Sequence, residues 1–513
     1  MNVSTSGVWS IRCAMLAAAG VAPLAAAQLQ PGGTTITIYS SMEPGGIQPQ
    51  MYRPVPGQGT PQFDIPGYAV VRDVRELSMP KGRGQVRFTD VAALIDPTTV
   101  SFTSLSDAGG TAVLDQNYQF DLVSNERLLE KFIDKPVTAT VVRGNESRDI
   151  TGTLMSSEGG SLVLRMQDGS VQVLSGYSGL SLPSLPEGLI TRPTLVWDVN
   201  SSKGGPQQVR VGYQTEGITW WADYNIVYDE KNANGGTIDL SAWVSILNHS
   251  GGSYNDAKLK LIAGDVHRAP TPQPMRRMSP MGAAMNMAAD GGFEEKAFFE
   301  YHLYTLGRPT TIPDRSTKQV ELFPAAHGTP VEKVLVYAGQ EQYPYYWSSP
   351  MTDQNFGVQS KKDVDVYLRF KNSKDQGLGM PLPAGRIRVS KLDPADGSLE
   401  FIGEDTIKHT PKDEQVLVKM GHAFDVVGER KQTEFKTEAN GHVITESYEI
   451  KVRNHKSEPV NVVVQETMYR WSNWEITKSS QDYKKQDSRM VHFPLTIPKD
   501  GEGVVTYTVR YTW

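Results

Sequence analysis

Five methionines, Met275, Met278, Met281, Met285 and Met287, fall within 13 residues of the stretch "APTPQPMRRMSPMGAAMNMAADGG". Thioethers are soft ligands that select Cu(I), and Met285-x-Met287 is a usable pair, so the stretch is a candidate soft-metal site. Against this, no His or Cys joins the cluster, and Arg276 and Arg277 would repel a cation. Four prolines between Ala269 and Gly292 exclude a regular strand and argue against a long helix. The segment 267–292 therefore reads as a loop inserted between two strands, longer than an ordinary hairpin connection.

Aromatic residues supply a second chemistry. They are dense in "TWWADY" (Trp220, Trp221, Tyr224), "YPYYW" (Tyr343, Tyr345, Tyr346, Trp347) and "YRWSNW" (Tyr469, Trp471, Trp474). Exposed rings bind sugars by stacking, which makes Trp220, Trp221, Trp347, Trp471 and Trp474 candidate glycan-binding residues. The competing reading is sandwich core plus domain interface, because aromatics populate cores so heavily. In a strand, the neighbours Trp220 and Trp221 must point to opposite faces.

Catalytic constellations are harder to find. The nearest approach to a nucleophile elbow, "SGYSGL" around Ser178, lacks the second glycine in register, and no long helix follows it. Neither Gly-x-x-x-x-Gly-Lys nor Gly-x-Gly-x-x-Gly precedes a helix. No two of the nine histidines lie within five residues of each other, so metal-binding spacings such as His-Glu-x-x-His are missing. His409 with Asp405 and Glu414 could form a hydrogen-bonded cluster, but the trio has no metal-spacing signature. His249 and His455 read as solvated turn residues. Acidic pairs such as Glu404–Asp405 carry no specificity, since the separation that glycoside hydrolysis needs is not visible in a sequence. No catalytic residue and no cofactor is expected.

The elements that must position these residues follow from composition and periodicity. Residues 1–27 combine Arg12, the apolar "CAMLAAAGVAPLAAA" and a small-residue end at Ala25-Ala26-Ala27, the pattern of a secretory signal peptide cleaved after Ala27. Cys13, the only cysteine, lies in it, so no disulfide or thiol chemistry is expected beyond it. With 513 residues the chain is long enough to bury large cores without disulfides. The net charge of −6 comes from interspersed acids and bases, with no basic stripe for nucleic acid. No later apolar run is long enough for a membrane-spanning helix. The expectation is an exported periplasmic or cell-envelope protein whose partner is an unidentified envelope protein or polysaccharide.

Residues 28–66 read as a Pro/Gly-rich linker, with one short strand, "TTITIYS", expected ahead of it. An N-terminal β region is expected over 67–200. It holds a hairpin turned by "SMPKGR", one short helix "SNERLLEKF", and a small barrel at 136–175 built from four alternating runs. β-Sandwiches are expected at 205–350 and 360–513. Within them a pattern recurs three times: Val244-x-Ile246-x-Asn248, Leu368-x-Phe370-x-Asn372 and Ile450-x-Val452-x-Asn454. Asn tolerates the left-handed conformation and bonds its own backbone, which suits a strand end. The fold class is all-β: antiparallel, Ig-like sandwiches behind a smaller N-terminal β region.

Several stretches, "GITWWADYNIVYD", "LSAWVSILNHSGGSYNDAKLKLIAGDVHR", "EYHLYTLGRPTTIPDRSTKQVELF", "GLGMPLPAGRIRVSKLD" and "FIGEDTIKHTPKDEQV", resemble the bacterial exported family labelled mucoidy-inhibitor-like. The resemblance runs from about residue 67 to the C-terminus. It implies an exported β-sandwich protein of the cell envelope and supplies no catalytic residues. Longer members of that family carry a coiled coil. Here only the short helix and the small barrel candidate stand in its place, so no role of a coiled coil is transferred. The leading expectation is a non-catalytic exported scaffold or binding module. The alternatives are an enzyme acting on envelope polysaccharide and a periplasmic copper binder using the methionine loop.

Overall fold

The computed structural model describes residues 32–39, 47, 49–52, 65–120, 124–143, 146–157, 159–184, 190–264, 266, 293–298, 301–340 and 349–513. The fold is mostly β. Period-2 alternation is the cause: in Gly205–Glu216, Gln207, Val209, Val211, Tyr213 and Thr215 are buried while their neighbours are not. Ile218–Asn232 follows the same rule, with Trp220, Ala222, Tyr224, Ile226 and Tyr228 turned inward.

These faces stack into layers. An eight-stranded sheet contains Gly33–Tyr39, Tyr68–Met79, Gly205–Glu216 and Tyr254–Ala263. A three-stranded sheet is centred on Thr194–Ser201, whose Trp197 packs against Phe88 and Phe102. A thirteen-stranded sheet lies against both, and one apolar core joins Ile36, Trp197, Trp220 and Tyr304 across the layers. The "TTITIY" strand is thus no linker element: Ile36 and Ile38 are fully buried, and it pairs parallel with Tyr254–Ala263 and antiparallel with Tyr68–Met79. The "SMPKGR" hairpin does not form either. Tyr68–Met79 pairs within the large sheet, whereas Gly82–Thr89 pairs with Thr194–Ser201, so the turn carries the chain between layers.

Pro136–Ser181 forms a separate five-stranded sheet with its own core of Val137, Leu154, Leu162 and Leu164, on which Leu129 and Phe132 from the helical segment pack. Ser124 caps that helix by accepting the Arg127 N–H. Among the described residues the last strand, Gly179–Ser181, returns to pair with the first, Pro136–Arg143, and does not pair with Val171–Leu174, so the hydrogen bonds draw an open sheet rather than a closed ring.

The thirteen-stranded sheet curls. Its end strand Leu399–Ile407 returns alongside Gln415–Glu438, where the Lys419 N–H donates to Asp405 Oδ2 at 2.7 Å. Two strands, Ser316–Tyr337 and Gln415–Glu438, are 22 and 24 residues long and pass through two cores. Val320 and Val416 belong to the first, Leu335 and Val426 to the second. The sequence placed a boundary between 350 and 360; the packing groups Leu368, Ile387, Val389 and Val418 with residues 205–331 instead.

Asn248, Asn372 and Asn454 are fully buried and none has a left-handed φ. Asn248 and Asn454 close their strand ends locally, each accepting the N–H two residues on, and all three also act as latches to distant backbone. Each Nδ2 donates to two carbonyls: Gly252 and Pro313, Met380 and Pro411, Glu458 and Pro498, at 2.9–3.0 Å. Each Oδ1 accepts a backbone N–H, from Ser250, Gly379 and Lys456 respectively.

The second core also depends on one close approach. The ring of buried Tyr337 lies on Gly428, where a Cβ would stand 2.0 Å from the ring, and its hydroxyl donates to the Lys361 carbonyl at 2.7 Å. Gly428→Ala is expected to displace the ring and cost about 1–3 kcal/mol. Equilibrium denaturation measures this, and an unchanged midpoint would show that the ring yields freely.

Candidate functional site

The structure distributes the predicted aromatic residues instead of gathering them. Trp220 is core and meets Tyr304 edge-on at 6.4 Å. Trp221 lies on the opposite face of the same strand, half-buried under Tyr52 at 5.4 Å. Its indole N–H donates to Asp223 (2.7 Å), which also accepts from Ser245 and stands 3.5 Å from Arg388. Trp471 packs on the second core. Trp474 donates its indole N–H to the Ser488 carbonyl and carries the Lys485 ammonium over its ring at 4.5 Å. Six strands of the sheet path lie between the Trp220–Trp221 strand and the Trp474 strand. Trp347 and the five methionines, Met275 to Met287, lie outside the described residues.

The histidine trio is engaged piecemeal. His409 Nδ1 accepts the Ala384 N–H at 3.0 Å, while Asp405 accepts the N–H groups of Thr406 and Lys419. Among the described residues no group of three His, Cys, Asp or Glu side chains is arranged to hold a metal ion.

The strongest electrostatics lie in the second core, on residues that sequence reasoning did not single out. Arg430, Glu446, Glu466 and Arg470 are all buried, with both ion pairs fully enclosed. Arg430 Nε donates to both oxygens of Glu466, at 3.0 and 2.9 Å, and its guanidinium lies 3.8 Å over the Tyr448 ring. Tyr507 donates to Glu466 from the other side. Glu446 accepts from Arg470 (2.7 Å), Tyr448 (2.8 Å) and Gln432 (2.7 Å). Burial works against the charge on Arg430, but the facing Glu466 outweighs it and holds the guanidinium protonated. Burial, reinforced by Glu446, pushes the Tyr448 phenol up to about 12, and burial drives Tyr507 and Tyr511 well above the ordinary range, so these phenols stay neutral donors.

What the arginines hold is a loop, gripped by its backbone. Arg470 Nη1 donates to the carbonyls of Met351 (2.8 Å) and Asp353 (2.7 Å), Arg430 Nη1 to that of Gly357 (2.8 Å), and Tyr469 to that of Phe356 (2.9 Å). A side chain on Gly357 would collide with the Tyr469 ring, so the loop comes that close only with glycine there.

A signal for this network was present. In "VNVVVQETMYR" the buried positions run Val460, Val462, Val464, Glu466, Met468 and Arg470, and in "VITESYEIKVRN" they include Ile444, Glu446 and Tyr448. A charge standing on the apolar parity of a strand has to be buried, and therefore paired.

Fold and site together define an all-β chain of stacked sheets whose C-terminal core is organised around two enclosed ion pairs. Residues 209–513 match the family model described as a domain of unknown function (DUF4139), and the chain belongs to that family. No curated protein and no solved structure matches it. Among the described residues no helix is long and apolar enough to cross a membrane.

Proposed function

We propose that the chain is an exported, non-catalytic binding module of the bacterial cell envelope that presents loops from a rigid β scaffold to an envelope polysaccharide. The observation that carries this reading is the loop over 351–357, fixed through its carbonyls by Arg430, Arg470 and Tyr469. Loops held rigidly on a sheet scaffold are the usual carriers of recognition. Trp347, in "YPYYW", stands four residues before Met351 in the sequence. The leader pattern at 1–27 and the mucoidy-inhibitor-like resemblance support the compartment.

Native gels cast with purified envelope polysaccharide test the proposal on the chain lacking residues 1–27. Retarded migration without release of reducing ends is the expected result, and Trp347→Ala should weaken the retardation. Release of reducing ends would make the protein an enzyme instead, and free migration through a broad polysaccharide panel would sink the reading.

A further inference from the structure

The curled part of the thirteen-stranded sheet ends in a cavity of about 280 Å³ at the seam of the two cores. Tyr228 and Leu368 reach it from the first core, and Val366, which packs on the second core, also lines it. Ile402 and Met420 complete an apolar wall. Its polar side is cationic. Glu230 is shared between Lys333 and Lys391, the latter at 2.6 Å, so one carboxylate answers two ammonium groups. Burial pushes the Glu230 carboxyl up, but the two lysine hydrogen bonds outweigh it and hold it below the usual range, so its single negative charge is firmly present. Lys456 adds a third ammonium, which has no ion-pair partner among the described residues. It is carried on the turn that Asn454 latches, through its own backbone N–H. His422 also lines the cavity but is turned to Asp365, 2.9 Å away.

Three lysines against one carboxylate leave an excess of positive charge facing an apolar wall. A second feature points the same way. Tyr228 is 3 % exposed, lines this cavity, and its hydroxyl has no hydrogen-bond partner. Buried phenols ordinarily find one. Concave sites with an apolar wall and a few convergent polar groups are the usual form of small-ligand pockets.

We infer that this cavity is a binding site for a small organic anion, an acidic head group on a short apolar body, with Lys391 and Lys456 taking the head group, the Tyr228 hydroxyl donating to it, and Leu368, Ile402 and Met420 receiving the body. Carboxylate and phosphoryl heads share the required chemistry. The site is separate from the loop over 351–357, and the inference stands whether or not polysaccharide binds.

Ligand-observed NMR and calorimetry on the chain lacking residues 1–27 test it, with hexanoate, hexyl phosphate and hexanol as probes. Saturation transfer to either anion and none to hexanol is expected, and the better of the two anions names the head group. Lys456→Gln, a change on a half-buried turn residue, should weaken anion binding about tenfold, the value of one charge-assisted hydrogen bond. Tyr228→Phe should weaken it about threefold to tenfold while leaving the melting temperature equal or higher, since the lost hydroxyl had no partner. Polysaccharide retention should be unchanged in both variants, so the two readings fail separately. The inference is overturned if neither anion binds, if hexanol binds as well as they do, or if both variants bind as the parent chain does.

Discussion

Glu446→Leu is expected to lower stability by about 3–5 kcal/mol, among the largest effects of any single substitution in this chain. Glu446 is fully buried and accepts from Arg470, Tyr448 and Gln432. Leucine fills much of the space but leaves the Arg470 guanidinium without its countercharge, in a place where water cannot replace it. The double variant Glu446→Leu with Arg470→Met should recover a large part of the loss, because an apolar pair of similar volume removes the desolvation problem together with the pairing. It should not recover the loop. Arg470 also holds the carbonyls of Met351 and Asp353, so amide hydrogen exchange over 349–360 should be faster in the double variant than in the parent. Chemical denaturation and exchange measured on the same samples separate the two consequences. A single variant within about 1 kcal/mol of the parent would show that the pair is not energetically engaged.

The second large effect is at the asparagine latches. Asn454→Ala removes the donors to the Glu458 and Pro498 carbonyls and the acceptor of the Lys456 N–H, all in a fully buried setting. Three hydrogen bonds at about 1 kcal/mol each, with buried groups left unsatisfied, give an expected loss of about 2–4 kcal/mol. Asn454→Asp is the sharper test. It keeps the shape but turns both donated contacts into an oxygen facing carbonyl oxygens, so at neutral pH it should be worse than alanine. Burial raises the folded-state pKa of such an acid. Its penalty is therefore small below the ordinary carboxylate range and grows as pH rises through it, as denaturation midpoints across pH would record. If Asn454→Asp matches the parent at neutral pH, the latch geometry is wrong.

The three latches and the two ion pairs show how much of this molecule was legible in its sequence. Alternation announced the β class and most strands, and it assigned Trp220 and Trp221 to opposite faces, where the structure has them. The recurring Asn was visible too, but its partners Pro313, Pro411 and Pro498 lie 39–65 residues away, and no local pattern names a distant carbonyl. Arg430, Glu446 and Glu466 stand on the inward parity of their strands, and Arg470 continues that parity three residues past Val460–Thr467, so charge alone does not mark the surface. The destination of "SMPKGR" was hidden for another reason. A Pro-x-Gly turn fixes a reversal of direction, but whether the next strand pairs back or crosses to another layer depends on Thr194–Ser201, more than 100 residues later. The anion cavity lay beyond reading because its lysines come from three unrelated segments.

The 22- and 24-residue strands have a consequence for how the molecule can be taken apart or assembled. Each contributes one half to either core, so neither core owns a complete set of strands. Loss of order in one strips the ends from ladders that the other needs, and the two must melt as a single cooperative unit. Recombination or truncation between residues 340 and 420 could not hand over a finished module. The architecture is inherited whole, and a chain emerging during synthesis cannot complete its first core until residues beyond 418 have joined it.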